Sequence, residues 1–229
     1  MDNDLILKHE NLVENPTPRV PICLCLDVSG FSEGNYIQEL NSGLRLFYNT
    51  IKKDELASNS IEICIVTFGG TEAGYETDFA NLQSQPDPPL LSEYGMDSIG
   101  EAVNRSLDLL EKRKDEYKKS GVDFYQPWLV LMARRRSNDN GEEYCRAVRR
   151  TVELVNTKKL TVFPIAIGQE LGTKVLAQFS PKRSPLHLQG LKFQNFFQWL
   201  SQSVFKIYQP NTGAIIKLDV EGIQGWGEL

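Results

Sequence analysis

Histidine is scarce, two residues in 229, and neither stands near a Ser or Cys in a recognisable nucleophile motif. His9 lies in a polar N-terminal stretch, and His187 is expected in a loop or short strand near Pro185; both read as structural or surface residues. No glycine-rich loop of the phosphate-cradling type occurs, and Gly69-Gly70 reads as a turn. A hydrolase or phosphotransferase would therefore lack a positioned nucleophile or base. Long apolar runs are missing as well. No stretch approaches the roughly 18–20 residues of a membrane span, and the polar start from Met1 to Pro16 has no signal-peptide core. A cytoplasmic setting is the expectation.

The four cysteines have neither zinc-site nor disulfide-framework spacing. Cys23, Cys25, Cys64 and Cys145 read as small buried hydrophobes. A net charge of −5 argues against general binding to a phosphate backbone.

What is present is an alternation of two periods. Continuous apolar runs at Val20 to Leu26, Ile61 to Phe68, Trp128 to Met132 and Leu160 to Ile167 suit strands covered on both faces. Helical spacing appears in Ile37, Leu40, Leu44, Phe47 and Ile51. It recurs from Ile99 to Leu110, ahead of a charged solvated stretch reaching Lys119. Two more such faces are Cys145, Val148, Val152, Val155 and the set Phe193, Phe196, Phe197, Leu200, Val204. Tyr75 to Phe79 is expected as a short edge strand, and Pro86, Pro88 and Pro89 mark a loop. Strand alternating with helix predicts an α/β fold with a doubly wound, mostly parallel sheet flanked by helices. The chain divides into an N-terminal extension (1–17), one domain (18–208) and a tail (209–229). The tail is expected to pack on the domain, because Ile215, Ile216, Leu218, Ile223 and Trp226 are unfavourable in water.

In such a sheet ligands bind outside the carboxyl ends of the strands, where strand order reverses. After the first strand comes Asp27-Val28-Ser29-Gly30-Phe31-Ser32-Glu33-Gly34, and the second closes on Thr67-Phe68-Gly69. With the leading strand and following helix, the first segment resembles the metal-ion-dependent adhesion site loop of von Willebrand factor A domains, Asp-x-Ser-x-Ser. The resemblance spans most of Pro18 to Ser203, and in detail it is similar to the small bacterial TerY-like, tellurite-resistance-associated subgroup. It implies a Mg²⁺ site built from oxygen ligands, with one position left for an acidic residue of a partner.

The chain departs from that pattern. Asp27 and Ser29 match, but Phe31 stands at the second Ser. The family's metal-binding Thr falls at Asp97, or one residue on at Ser98; its second Asp falls at Ala133, followed by Arg134, Arg135 and Arg136. Three readings stay open. Asp27, Ser29 and Asp97 could hold a metal weakly. An arginine among Arg134 to Arg136 could pair with Asp27 or Asp97. Or the site is vestigial, with Asp27 capping local amides. No cofactor is expected beyond weak Mg²⁺, and Arg134, Arg135 and Arg136 are candidates to receive an acidic or phosphorylated partner segment.

What the resemblance implies is a non-catalytic protein-interaction module in a bacterial stress-response or phage-defence system, with a protein kinase and a metal-dependent protein phosphatase as partners. The alternatives are a metal-dependent adhesion domain and, from another class, a hydrolase or phosphotransferase on the same sheet topology.

Overall fold

The computed structural model describes residues 15, 17–29, 35–69, 77–85, 87–92, 98–134, 141–168, 171–208, 223 and 225–228. His9, Phe31, Tyr75, Asp97, Arg135, Arg136 and most of the tail, Ile215, Ile216 and Leu218 included, lie outside them.

Seven strands form one sheet in the order β3-β2-β1-β4-β5-β6-β7. They are β1 (Val20–Asp27), β2 (Ile61–Phe68), β3 (Ala80–Asn81), β4 (Trp128–Ala133), β5 (Thr161–Ile167), β6 (Leu186–Leu188) and β7 (Gly227–Glu228). The five inner strands run parallel, and the two edge strands β3 and β7 are antiparallel. The fold is α/β and doubly wound. Every residue of β1, β2 and β4 is buried; helices cover both faces, which explains why these strands are continuously apolar rather than alternating.

The pleat sends successive side chains to opposite faces. Ile22, Leu24 and Leu26 join one core with α1 (Tyr36–Lys52) and α6 (Phe193–Phe205). Cys23, Cys25 and Cys64 join the other, with α3 (Ile99–Ser120), α4 (Glu142–Asn156) and α5 (Leu171–Phe179). On the first face α1 meets α6 at Gly43, where a Cβ would lie 2.8 Å from Phe197 Cδ2. Ile223 and Trp226, from the tail, belong to this core as well. No helix among the described residues is long and apolar enough to cross a membrane.

Four local expectations are corrected. The charged stretch to Lys119 is helical, because α3 continues to Ser120 and stops on Gly121, whose φ of 67° provides a left-handed cap. The edge strand sits at 80–81; residues 77–79, the described part of the expected 75–79 strand, form none, and Thr77 instead accepts from the Ile65 amide with its hydroxyl, at 2.9 Å. The buried face of α4 is Tyr144, Ala147, Thr151 and Val155, mostly one step from the apolar set expected from helical spacing, and this leaves Cys145 exposed. Two helices had no sequence signal strong enough to be expected: α2 (Glu55–Ser60), begun by an Asp54 cap on the Ala57 amide, and α5.

Candidate functional site at the carboxyl end of the sheet

Strand order runs outward from β1 through β2 to β3, and outward from β4 the other way. The reversal point therefore lies between β1 and β4. Asp27 is the last residue of β1 and Arg134 the first after β4, so the fold brings these two, 107 positions apart, to the place where such sheets bind ligands.

Asp27 is 3% exposed. Its two carboxylate oxygens are held separately: Oδ1 accepts from the Ser29 amide at 2.9 Å, and Oδ2 from the Arg134 amide at 2.8 Å. A buried carboxylate needs such donors, since an unpaired buried charge is very unfavourable. The backbone carbonyl of Asp27 accepts from the Tyr36 hydroxyl at 2.7 Å, which ties the first turn of α1 to the end of β1. The Tyr36 ring in turn lies under the Arg134 guanidinium, 5.4 Å from its centroid. Burial chiefly, and then the charge of Asp27, push the Tyr36 phenol well above its ordinary pKa, while Arg134 pulls the other way.

Gly69 closes the site from β2. Its φ is +78°, and a Cβ there would stand 2.9 Å from both Asp27 Oδ1 and Ser29 Cβ. Only glycine combines that backbone with that approach. The Ser29 hydroxyl is buried and has no hydrogen-bond partner among the described residues.

The sequence-predicted residues are thus divided. Asp27, Ser29 and Arg134 come together. Phe31, Asp97, Arg135 and Arg136 lie outside the described residues. Ser98 is committed elsewhere: its hydroxyl accepts from the Glu101 amide at 3.1 Å and caps α3.

A divalent cation does not fit the described donors. Mg²⁺ wants a near-octahedral set of oxygens. One carboxylate whose oxygens already accept amides and one hydroxyl are available, while Ala133 is buried and apolar and the neighbouring side chain is a cation. Among the described residues no group of three or more His, Cys, Asp or Glu could hold a metal ion.

A second buried carboxylate escaped sequence reasoning. Glu62, 1% exposed, sits at the amino end of β2. Arg113 grips it with two hydrogen bonds, Nε to Oε2 at 2.7 Å and Nη2 to Oε1 at 2.9 Å. Arg19 Nε donates to Oε1 at 3.2 Å and the Tyr117 hydroxyl to Oε2 at 2.6 Å. Burial works against the Arg113 charge, but Glu62 more than offsets it and the net shift is upward. The signal was available: one acid inside an otherwise apolar strand must find cations.

No family model matches the sequence, and no curated protein matches it either. Solved structures do match in fold. A von Willebrand factor type A protein from Catenulispora acidiphila superposes with a TM-score of 0.62 at 11% identity, over 82% of this chain and 43% of that one. The chain has the von Willebrand factor A fold. The pilus adhesin SpaC from Lactobacillus rhamnosus GG matches this fold with a TM-score of 0.62 at 10% identity, over 83% of this chain and 31% of the adhesin. The vWF domain of the type V pili tip protein Mfa5 from Porphyromonas gingivalis matches over 87% of this chain and 98% of that domain, at 8% identity and a TM-score of 0.52. The chain spans less than half the length of the first two.

Proposed function

We propose that the chain is a non-catalytic protein-binding module that recognises its partner at the carboxyl end of the sheet. The observation that carries this is the meeting of Asp27, Ser29 and Arg134 at the strand-order reversal. Two structures sharing the fold are named as a pilus adhesin and a pili tip protein, which supports adhesion or protein binding as its use. The basic run Arg134 to Arg136 suits an acidic or phosphorylated segment, because guanidinium groups form paired bonds with carboxylate and phosphate.

The finer reading rests on the sequence resemblance to the TerY-like subgroup. It comprises a role in a bacterial stress-response or phage-defence system, a cytoplasmic setting, and a protein kinase and metal-dependent phosphatase as partners. The metal-dependent adhesion mode is disfavoured by the described donors around Asp27. An enzymatic role is disfavoured because the described residues of the site offer no nucleophile beside a base; the purified chain should show no phosphatase, kinase or nucleotide hydrolysis above background.

The test is capture of a candidate kinase or phosphatase on immobilised full chain. Arg134→Glu should abolish retention, whereas Lys118→Glu, on an exposed turn of α3, should retain it. Equal retention by both variants would remove the assignment to this face.

A further inference from the structure

Partner recognition in metal-dependent members of this fold relies on a divalent cation, and the donors around Asp27 do not fit one. Something else must compensate a carboxylate that is only 3% exposed. Its two amide donors satisfy the lone pairs but carry no full charge. A cation stands beside Tyr36. Arg134 leaves β4 with its amide on Asp27 Oδ2, and its guanidinium lies over the ring of Tyr36, the residue whose hydroxyl is bonded to the Asp27 carbonyl. Arg134 thus holds Asp27 through its amide and places its guanidinium over the ring that is bonded to the Asp27 carbonyl.

We propose that the Arg134 guanidinium is the resident cation of this site, taking the place of a divalent metal, so that the site works without one. This rests on the reading that the carboxyl-end face binds a partner, and it names how that face is charged. A guanidinium suits the role because it is always protonated and weakly hydrated, and it can stack on an aromatic ring. Nη1 of Arg134 is buried, so the charge is held inside the site rather than waving in solvent. Ala133 is 1% exposed: where a second carboxylate would demand a divalent ion, a methyl group leaves Asp27 as the one negative charge among the described residues of the site, to be matched by one positive charge.

The test uses the full chain in two measurements. Calorimetric titration with Mg²⁺ and with Mn²⁺ should give no saturable binding tighter than about 1 mM, and EDTA should leave the melting midpoint unchanged. Saturable binding tighter than that overturns the proposal. The second is a double-mutant cycle, which isolates the charge interaction from lost stacking. Arg134→Gln should lower the midpoint by at least about 3 °C in the wild-type background. It should lower it by less than half as much in the Asp27→Asn background, and Arg134→Lys should recover part of the loss. Equal drops in both backgrounds mean that Arg134 merely packs on Tyr36, and the proposal fails. The outcome is separable from partner binding: failed capture would remove the proposed function and leave the cycle intact.

Discussion

Two carboxylates are buried at opposite ends of the same sheet, and they are solved differently. At the amino end Glu62 is gripped by Arg19, Arg113 and Tyr117, every one of them under 9% exposed. Arg19 also ties down the chain before β1, donating to the carbonyls of Thr17 and Asn15. At the carboxyl end Asp27 is held by two backbone amides, beside a buried hydroxyl with no hydrogen-bond partner among the described residues and a glycine in a left-handed conformation. The first arrangement is saturated and locks three elements together. The second holds its carboxylate by main chain, keeps a donor in reserve and places charge where ligands bind. Saturation marks a structural network, and reserve marks a site.

The sharpest way to break the contrast is Glu62→Ala. Removing one member of a buried ion network leaves Arg19 and Arg113 uncompensated, so a loss of about 3–5 kcal/mol is expected in urea unfolding. Asp27→Ala should cost less, about 1–3 kcal/mol, since it strands two amide N–H groups and one half-buried cation, Arg134, rather than two buried cations. It should, however, remove partner binding, which no change at Glu62 that still folds should do. A Glu62→Ala loss no larger than that of Asp27→Ala would erase the distinction.

The sequence disclosed these ends unequally. The Asp27 end was legible because a loop at a strand terminus keeps local order: Asp27, Ser29 and Gly69 follow apolar runs directly. What it could not disclose is that the donor to Asp27 Oδ2 is the amide of Arg134, since a main-chain contact leaves no residue-type signature. The Glu62 network joins positions 19, 62, 113 and 117, and periodicity reports neighbours along one element, never partners between elements. The same limit displaced the α4 face. Thr151 is buried with its hydroxyl bonded to the Ala147 carbonyl, so a polar residue holds a core position while Cys145 faces out. Parallel strands were read well because two covered faces demand uninterrupted apolar residues.

Gly69→Ala sharpens the comparison further. The added methyl meets Asp27 Oδ1 and Ser29 Cβ in a backbone region that alanine avoids. A loss of about 1–3 kcal/mol in urea unfolding is expected, accompanied by weaker partner capture. Gly121→Ala, at a left-handed cap with open space around it, should cost stability without touching capture.

The mildest effect near neutral pH lies in titration. Burial chiefly raises the pKa values of the Cys25 and Cys64 thiols and of the Tyr36 and Tyr117 phenols in the folded chain. Unfolded, these groups lose protons from about pH 8.5 for thiols and about pH 10 for phenols. Folded, they keep them, so the unfolded state binds fewer protons above those values. Stability should therefore be unaffected by these groups below about pH 8 and decline as pH rises past 9. Tyr36→Phe should flatten part of that decline through the carboxyl end, and Tyr117→Phe through the amino end, as measured by urea unfolding across pH.

The account's central claim, recognition at the Asp27 end, is tested most directly by hydrogen–deuterium exchange of the full chain with and without a bound partner, in EDTA. Protection should appear in the segments containing Ser29, Gly69 and Arg134 and be absent around Arg19, Glu62 and Arg113. Protection confined to the amino end, or seen only when Mg²⁺ replaces EDTA, would contradict it.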